Sequence, residues 1–250
     1  MGYQYDSAFF DFVDASSGRS ASLFLEQVMA SVLGAGTAGS VLDVGCGRGA
    51  WLAVWKRLGA RRVQGVDGEY VSREALLVSP GEFCAKDISG HFDLGEKFDL
   101  VQCLEVAEHL PEIHAETLVD NIARHGDLIL FSAAIPGQGG EFHVNERPYS
   151  YWRAKFAARG YAVYDAIRPC VAGRNDIEPW YRYNTFVYAN DRGATRLTSR
   201  ASERLVPPGR PLQDISPMSW RLRCAALSVL PLSLTSTLAR AKHRATNLFR

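Results

Sequence analysis

Val41-Leu42-Asp43-Val44-Gly45-Cys46-Gly47-Arg48-Gly49 is the stretch that decides how this chain folds. An apolar run ends in three alternating glycines. Trp51, Leu52, Val54, Trp55 and Leu58 follow at helical spacing, so the segment reads as strand, tight loop and helix. Glycines at such a loop allow positive φ and let a ligand lie directly against the main chain. In open α/β sheets a crevice of this kind, at the carboxyl end of a strand, is where nucleotides bind.

Two ligand classes compete for the loop. Gly45, Gly47 and Ala50 satisfy the dinucleotide pattern G-x-G-x-x-G/A, with Asp67 about 20 residues further on for a ribose. Asp43 argues against a dinucleotide, because a pyrophosphate at the helix start would meet a carboxylate just beneath the loop. S-adenosylmethionine (SAM) has no phosphate and carries a sulfonium and an ammonium, for which the same carboxylate is favourable. The loop therefore favours SAM over NAD.

Working outward, Arg62–Asp67 reads as a second strand ending in Asp67, placed to accept hydrogen bonds from two ribose hydroxyls. Glu82–Ile88 reads as a third, with Asp87 placed to meet an adenine amine. Lys97–Val106 is a fourth strand running into Ala107-Glu108-His109-Leu110-Pro111, and Gly126–Ser132 a fifth. Gly160–Asp165 and Tyr183–Ala189 read as the last two. Strands alternating with helical segments predict a parallel, doubly wound, Rossmann-like α/β sheet. The fourth strand lacks the Asn/Asp-Pro-Pro-Tyr element that clamps an exocyclic base amine, which argues against a nucleic-acid substrate.

Between the fifth strand and a helix that Pro148 can start lies Ala133–Arg147, a long loop carrying Gln138, Glu141, His143, Asn145 and Glu146. Long loops in compact domains are usually functional or disordered, and this polar cluster points to a polar substrate. His143-x-x-Glu146 has the spacing of half a metal site, but no partner ligands are identifiable from the sequence, and no metal is assigned. Upstream, the aromatics Tyr3, Tyr5, Phe9, Phe10 and Phe12 either pack on the domain or form a lid over the pocket. Leu23 to Val32 then follow with helical period, and Gly34 suits the helix end.

The formal charge of +1 over 250 residues hides an asymmetry. Residues 191–250 hold eleven Lys/Arg against three Asp/Glu, whereas residues 1–190 hold seventeen against twenty-four. An acidic body is a poor footprint for a long nucleic acid. The five cysteines are odd in number, scattered and without a C-x-x-C pair. They read as reduced thiols in a cytoplasmic protein. Met1–Asp6 lacks the basic and apolar regions of a secretory leader. Residues 1–190 are expected to form one domain, followed by a polar linker over Arg192–Arg210 and a basic helical extension broken at Pro231. The apolar run there is too short to span a bilayer. The extension is expected either to lie on an anionic membrane surface, placing the protein peripherally at the inner membrane, or to contact protein. Oligomeric state is left unassigned.

Asp43-x-Gly-x-Gly-x-Gly, Asp67, Asp87 and Leu104-Glu105-Val106-Ala107-Glu108-His109-Leu110 together resemble the class I SAM-dependent methyltransferases. Within them the chain is similar to a bacterial branch carrying Phe131-Ser132-Ala133-Ala134-Ile135-Pro136-Gly137-Gln138-Gly139-Gly140, then His143-Val144-Asn145-Glu146 and Ser150-Tyr151-Trp152. The resemblance covers roughly residues 5–190. It implies a seven-stranded sheet with the last strand pair partly antiparallel. It also implies SAM contacts at Asp43, Gly45, Cys46, Gly47 and Gly49, at Asp67 and Gly68, at Asp87 and Ile88, and at Cys103 and Leu104. The chain departs from the branch at Arg147-Pro148-Tyr149 and at Trp180-Tyr181-Arg182-Tyr183-Asn184, both on the acceptor side.

The expected reaction is methyl transfer to a hydroxyl of a small polar or glycan-linked acceptor. Such a transfer depends mainly on alignment, worth up to roughly 7–11 kcal/mol of pre-organised entropy. A sugar hydroxyl is a poor nucleophile and needs a base, contributing about 10²–10⁴-fold. His143 is the first candidate, since an imidazole ordinarily titrates near neutral pH. Glu146 and Glu141 would orient it or bind acceptor hydroxyls, and His109 is the reserve. The alternatives are N-methylation of an amino sugar or small amine, an inactive SAM-fold subunit that binds a partner, and an NAD reductase.

Overall fold

The structure, a computed structural model, describes residues 7–34 and 38–248, with side chains from Ser17 onward except at 243, 244 and 246–248. Tyr3 and Tyr5, and the side chains of Phe9, Phe10 and Phe12, lie outside the described residues. The chain opens with α1 (Ser7–Val28), continued by a π-helical turn to Leu33, and then enters β1 (Ser40–Val44). The glycine loop leads into α2 (Ala50–Arg57), followed by β2 (Arg62–Asp67), β3 (Phe83–Ala85) and β4 (Leu100–Leu104). Next come α3 (Ala115–His125), β5 (Leu128–Ser132), α4 (Tyr149–Ala157) and β6 (Ala162–Tyr164). The short helices α5 (Arg168–Val171) and α6 (Pro179–Asn184) precede β7 (Phe186–Ala189).

The seven strands form one sheet in the order β3-β2-β1-β4-β5-β7-β6. β1 to β5 pair in parallel, as the alternation of strands and helices predicts. β7 runs antiparallel to both β5 and β6, which is the arrangement the resemblance implies. Strand order reverses between β1 and β4, so the crevice outside their carboxyl ends is the topological switch point of the sheet.

Side-chain alternation along the strands builds two cores. Val41, Leu100, Leu128 and Leu130 face α1 and α2, where Phe24, Leu25, Trp51 and Trp55 cover them. Leu42, Val101, Cys103, Ile129 and Phe131 face α3 and α4, under Leu118, Ile122, Trp152 and Phe156. Burial on both faces explains why the strands read as continuous apolar runs. Fully burying one such side chain stabilises the fold by roughly 1.5–3 kcal/mol.

Residues 191–210, polar by composition, lie against the domain. The helices α7 (Asp191–Ala194) and α8 (Ser199–Ser202) sit here. Thr198 donates its amide to Val32 at 2.9 Å, Leu205 bridges to Tyr164, and Ala201 is buried. The extension then forms α9 (Met218–Ser228) and α10 (Leu232–Leu248), interrupted at Pro231 as the sequence suggests. α10 packs along α1. Among the described residues no helix is long and apolar enough to cross a membrane.

Candidate active site

A cavity of about 1030 Å³ opens at the carboxyl ends of β1, β2 and β4. This is at the upper end of the roughly 300–1,000 Å³ typical of small-molecule sites. Its floor is the glycine loop. Gly45 has φ +81°, and a Cβ there would stand 2.5 Å from both methyls of Val106, so only glycine lets β1 turn against β4's exit. The Gly45 amide donates to the Val66 carbonyl at 2.8 Å, tying the loop to β2.

Asp43 projects from β1 beneath the loop and is only 4% exposed. Burial pushes its carboxyl up to about 7, opposed by the Gln102 side chain and reinforced by the charge of Asp67. Gln102 is held from the other side, its oxygen accepting the Trp55 indole N–H at 2.7 Å. Asp67, at the end of β2, accepts the amides of Gly47 and Gly68, each at 2.7 Å, and the Tyr70 hydroxyl. It thus shapes the loop as well as facing the cavity. Burial raises its pKa, against these same hydrogen bonds. Asp87 lines the cavity from an exposed turn after β3, where the Ser89 hydroxyl and amide hold its carboxyl below the usual range.

Most of the residues expected to contact SAM line this cavity: Asp43, Gly45, Cys46, Gly47, Asp67, Gly68, Asp87, Ile88 and Leu104. Two do not. Cys103 is wholly buried among the residues under α3 and α4, because strand alternation turns it away from the face that Gln102 and Leu104 present. Gly49 caps the start of α2 and faces Val78 instead of the cavity.

The opposite wall is the 133–147 loop. Val144 and Asn145 donate their amides to the Glu108 carbonyl, at 2.9 and 3.0 Å, which folds the loop back onto the segment after β4. That bend puts the His143 and His109 rings edge to face, 4.8 Å between centroids. Both rings line the cavity. His143 Nδ1 lies 3.0 Å from Glu146 Oε1. The Glu146 carboxylate is itself fixed by the amides of Gly137 and Gly139, each at 2.7 Å. Glu146 and His143 are thus in hydrogen-bonding contact, with Glu146 held in place by the loop's own amides. His109 is different: burial and the neighbouring His143 lower its pKa to about 3. It stays neutral near pH 7 and is a poor proton acceptor, so the reserve role as base does not suit it.

A family model described as a methyltransferase domain matches residues 19–164. The chain belongs to the class I SAM-dependent methyltransferases. No curated protein sequence matches it. Among solved structures it is similar to Streptomyces venezuelae DesVI, with a TM-score of 0.55 and 17% identity over 75% of this chain and 100% of that one. It is also similar to the sugar N-methyltransferase KedS8 from Streptoalloteichus, with a TM-score of 0.53 and 18% identity over 76% and 94% of the two chains. An O-methyltransferase family protein from Burkholderia thailandensis gives 0.52 and 17%, over 73% and 58%. At these identities the likenesses establish the fold.

In this methyltransferase several cavity residues were not singled out by sequence reasoning. Glu105 follows β4 with φ +56°, and its carboxylate accepts the Gln138 amide at 2.6 Å and the Asn184 amide at 3.4 Å. Asn184 also donates to Gln138 at 2.7 Å. These contacts join β4, the loop and α6 in one buried polar network. A non-glycine residue at such a φ marks a functional or strained site. Glu108 is wholly buried and lines the cavity. Acids three apart directly after a buried strand were the available signal.

The C-terminal helices supply the rest. Trp220, Arg223, Ala239 and Lys242 line the cavity. Arg223 donates to the Gln138 carbonyl at 2.7 Å, and Ser236 Oγ accepts the Phe142 amide at 3.2 Å. The extension thus sits on the 133–147 loop.

Proposed function

We propose that this methyltransferase modifies a hydroxyl of a small polar or glycan-linked acceptor, with His143 as the base. The observation that supports this reading is the convergence of two walls on one cavity. One wall carries Asp43, the glycine loop and Asp67, and the other carries His143 held by Glu146. The donor set suits SAM: Asp43 offers a buried carboxylate to a cationic group and Asp67 faces a ribose. Bound SAM supplies a methyl carbon activated by its sulfonium, and transfer to oxygen leaves S-adenosylhomocysteine. His143 Nε2 takes the proton that the hydroxyl gives up, Glu146 holds the resulting imidazolium, and the loop excludes water. The SAM side would be formed by Asp43, Gly45, Cys46, Gly47, Asp67, Gly68, Asp87, Ile88 and Leu104.

An amine acceptor is the second reading, favoured by the acids around the acceptor space. Glu105, Glu108 and Glu141 all line the cavity and would hold an ammonium. We further assign the chain to the bacterial branch marked by Phe131–Gly140 and His143–Glu146. Its catalytic unit is residues 1–190, with 191–250 an extension that acts in the cytoplasm or peripherally at the inner membrane. The test is transfer of labelled methyl from SAM into saccharide and amino-sugar fractions, followed by hydrolysis of the product. An O-methyl sugar supports the first reading. Label recovered only as an N-methylamino sugar or N-methyl amine replaces it with the second, and label in neither overturns both.

A further inference from the structure

Sequence reasoning found no partners for His143 as a metal ligand, because the partners stand 34 and 35 residues upstream. The fold supplies them. Glu108, His109 and His143 each offer one ligand atom, and these atoms all lie within 4.8 Å of one another. Bonds of about 2.0–2.2 Å from a cation to imidazole nitrogen or carboxylate oxygen place neighbouring ligands up to roughly 4 Å apart. The three groups therefore need only a small inward adjustment to share an ion.

Glu108 is wholly buried, and among the described residues neither carboxylate oxygen has a hydrogen-bond partner. The backbone amides of Glu108 and Ala134 face it without reaching hydrogen-bonding geometry. A buried carboxylate is normally paired or coordinates a metal. His143 has its Nδ1 against Glu146, and Glu146 is fixed by two glycine amides. Metal-binding histidines characteristically use a carboxylate in this way to set the tautomer and aim the other nitrogen.

We propose that Glu108, His109 and His143 form a site for one first-row divalent cation, open on the side facing the acceptor. Two imidazoles and a carboxylate favour ions such as Mn²⁺, Co²⁺ or Zn²⁺ over Mg²⁺ or Ca²⁺, which prefer oxygen alone. Three protein ligands leave coordination positions for oxygens of the acceptor. A hydroxyl bound there would lose its proton to water more readily, and its oxygen would then bond to the methyl carbon of SAM as the carbon–sulfur bond breaks and S-adenosylhomocysteine leaves. The His143 lone pair is spent on ligation in the loaded site, so activation of the hydroxyl passes from imidazole to ion. What the ion does rests on the hydroxyl reading above; whether it binds does not.

The test uses the full-length protein, stripped of metal and without SAM or acceptor. Mn²⁺ is titrated and the free ion followed by electron paramagnetic resonance, with Zn²⁺ titrated in parallel by calorimetry. The expected result is one ion per chain, with a rise in Tm on Mn²⁺ addition. Glu108→Gln and His143→Ala should each abolish saturable binding while SAM affinity is retained, and Glu146→Gln should weaken it about 10–100-fold. Absence of saturable binding to the wild-type protein overturns the site, as does undiminished binding in both Glu108→Gln and His143→Ala. Failure of the two readings is separable. Methyl transfer that needs His143 but ignores chelators leaves the base and removes the ion. Stoichiometric Mn²⁺ binding without any hydroxyl product keeps the site and removes the acceptor.

Discussion

Asp43 gives the sharpest prediction, because its carboxyl sits at a value that an ordinary pH series crosses. Burial pushes it up to about 7, the Gln102 side chain pulls it down and the charge of Asp67 pushes it further up. A cationic ligand beside it favours the ionised form, and a nearby cation lowers a carboxylic acid by roughly one to three pH units. SAM affinity is therefore full above pH 7 and falls as pH drops below it. Between pH 8 and pH 6 the dissociation constant should rise about tenfold, or ~1.4 kcal/mol. Calorimetry at both pH values, on the wild type and on Asp43→Asn, isolates this contribution from the ligand's own titration. Stability moves the other way. With the folded value raised from 3.8 to about 7, Asp43 contributes stability that is fully present below the unfolded value and lost as pH rises through the folded one. The ceiling of that loss is roughly 4 kcal/mol at 1.36 kcal/mol per unit. Asp43→Asn should thus weaken SAM yet raise the Tm of the ligand-free protein at pH 8. At a quarter of the ceiling the rise is already roughly 2–4 °C. A wild-type affinity that is flat from pH 6 to 8, or an unchanged slope in the Asn variant, refutes the placement of a cation over Asp43.

His143→Ala should lower the rate of methyl transfer by about 10²–10⁴ while leaving SAM affinity nearly unchanged, measured by single-turnover kinetics and calorimetry; near-full activity would show that the residue is structural. Gly137 has φ +81°, and a Cβ there would lie 2.1 Å from the Cys224 carbonyl oxygen. Gly137→Ala should destabilise the fold by about 1–3 kcal/mol and lift α9 from the loop, read as lost hydrogen-exchange protection in both segments. A chain ended at Pro217 should keep its fold and SAM affinity but bind the acceptor more weakly; an unchanged KM would place the acceptor away from α9 and α10. Leu222, Val229, Leu232, Leu234 and Leu238 are exposed on the extension, which carries most of the chain's basic surplus. Co-sedimentation with anionic vesicles should be salt-sensitive and lost on Leu234→Asp with Leu238→Asp, and equal recovery with neutral vesicles would end the membrane reading.

The sheet was legible because its strands are short apolar runs separated by glycine and helical periods, and each expected strand overlaps an observed one. Boundaries shifted where tertiary contacts outweigh propensity. Tyr183 and Asn184 read as strand, yet both close α6, where the Tyr183 carbonyl takes Arg168 at 3.0 Å and Asn184 joins the Glu105 network. The glycine-loop wall of the cavity was legible for a related reason: its residues are local, with acid and glycines on one strand end and the next acid on the neighbouring strand. Cys103, named by the resemblance, is sent by β-strand alternation to the face opposite Gln102. The acceptor half was legible only in its residue types. Nothing in the spacing announces that residue 143 returns to residue 109, since the bend is made by two loop amides on one carbonyl.

That division between a local wall and a long-range wall of the cavity also follows the limits of the family match. The family match ends at residue 164, and the solved neighbours cover about three quarters of this chain. Asp43, Asp67, Glu108 and His143 fall inside the match, whereas Trp180, Trp220, Arg223 and Lys242 fall outside it and line the same cavity. The acceptor loop is not left to close on its glycines alone. α9 presses on Gly137, Arg223 bonds Gln138, and Ser236 of α10 takes the amide of Phe142, itself held at φ +58°. Strain of that kind persists only where surrounding contacts over-determine it, and Ser236 of the extension supplies one of them. The geometry of His143 is therefore set jointly by the shared domain and by residues 218–248. A relative with the same glycine loop and a different extension would keep the cofactor and present a different acceptor surface.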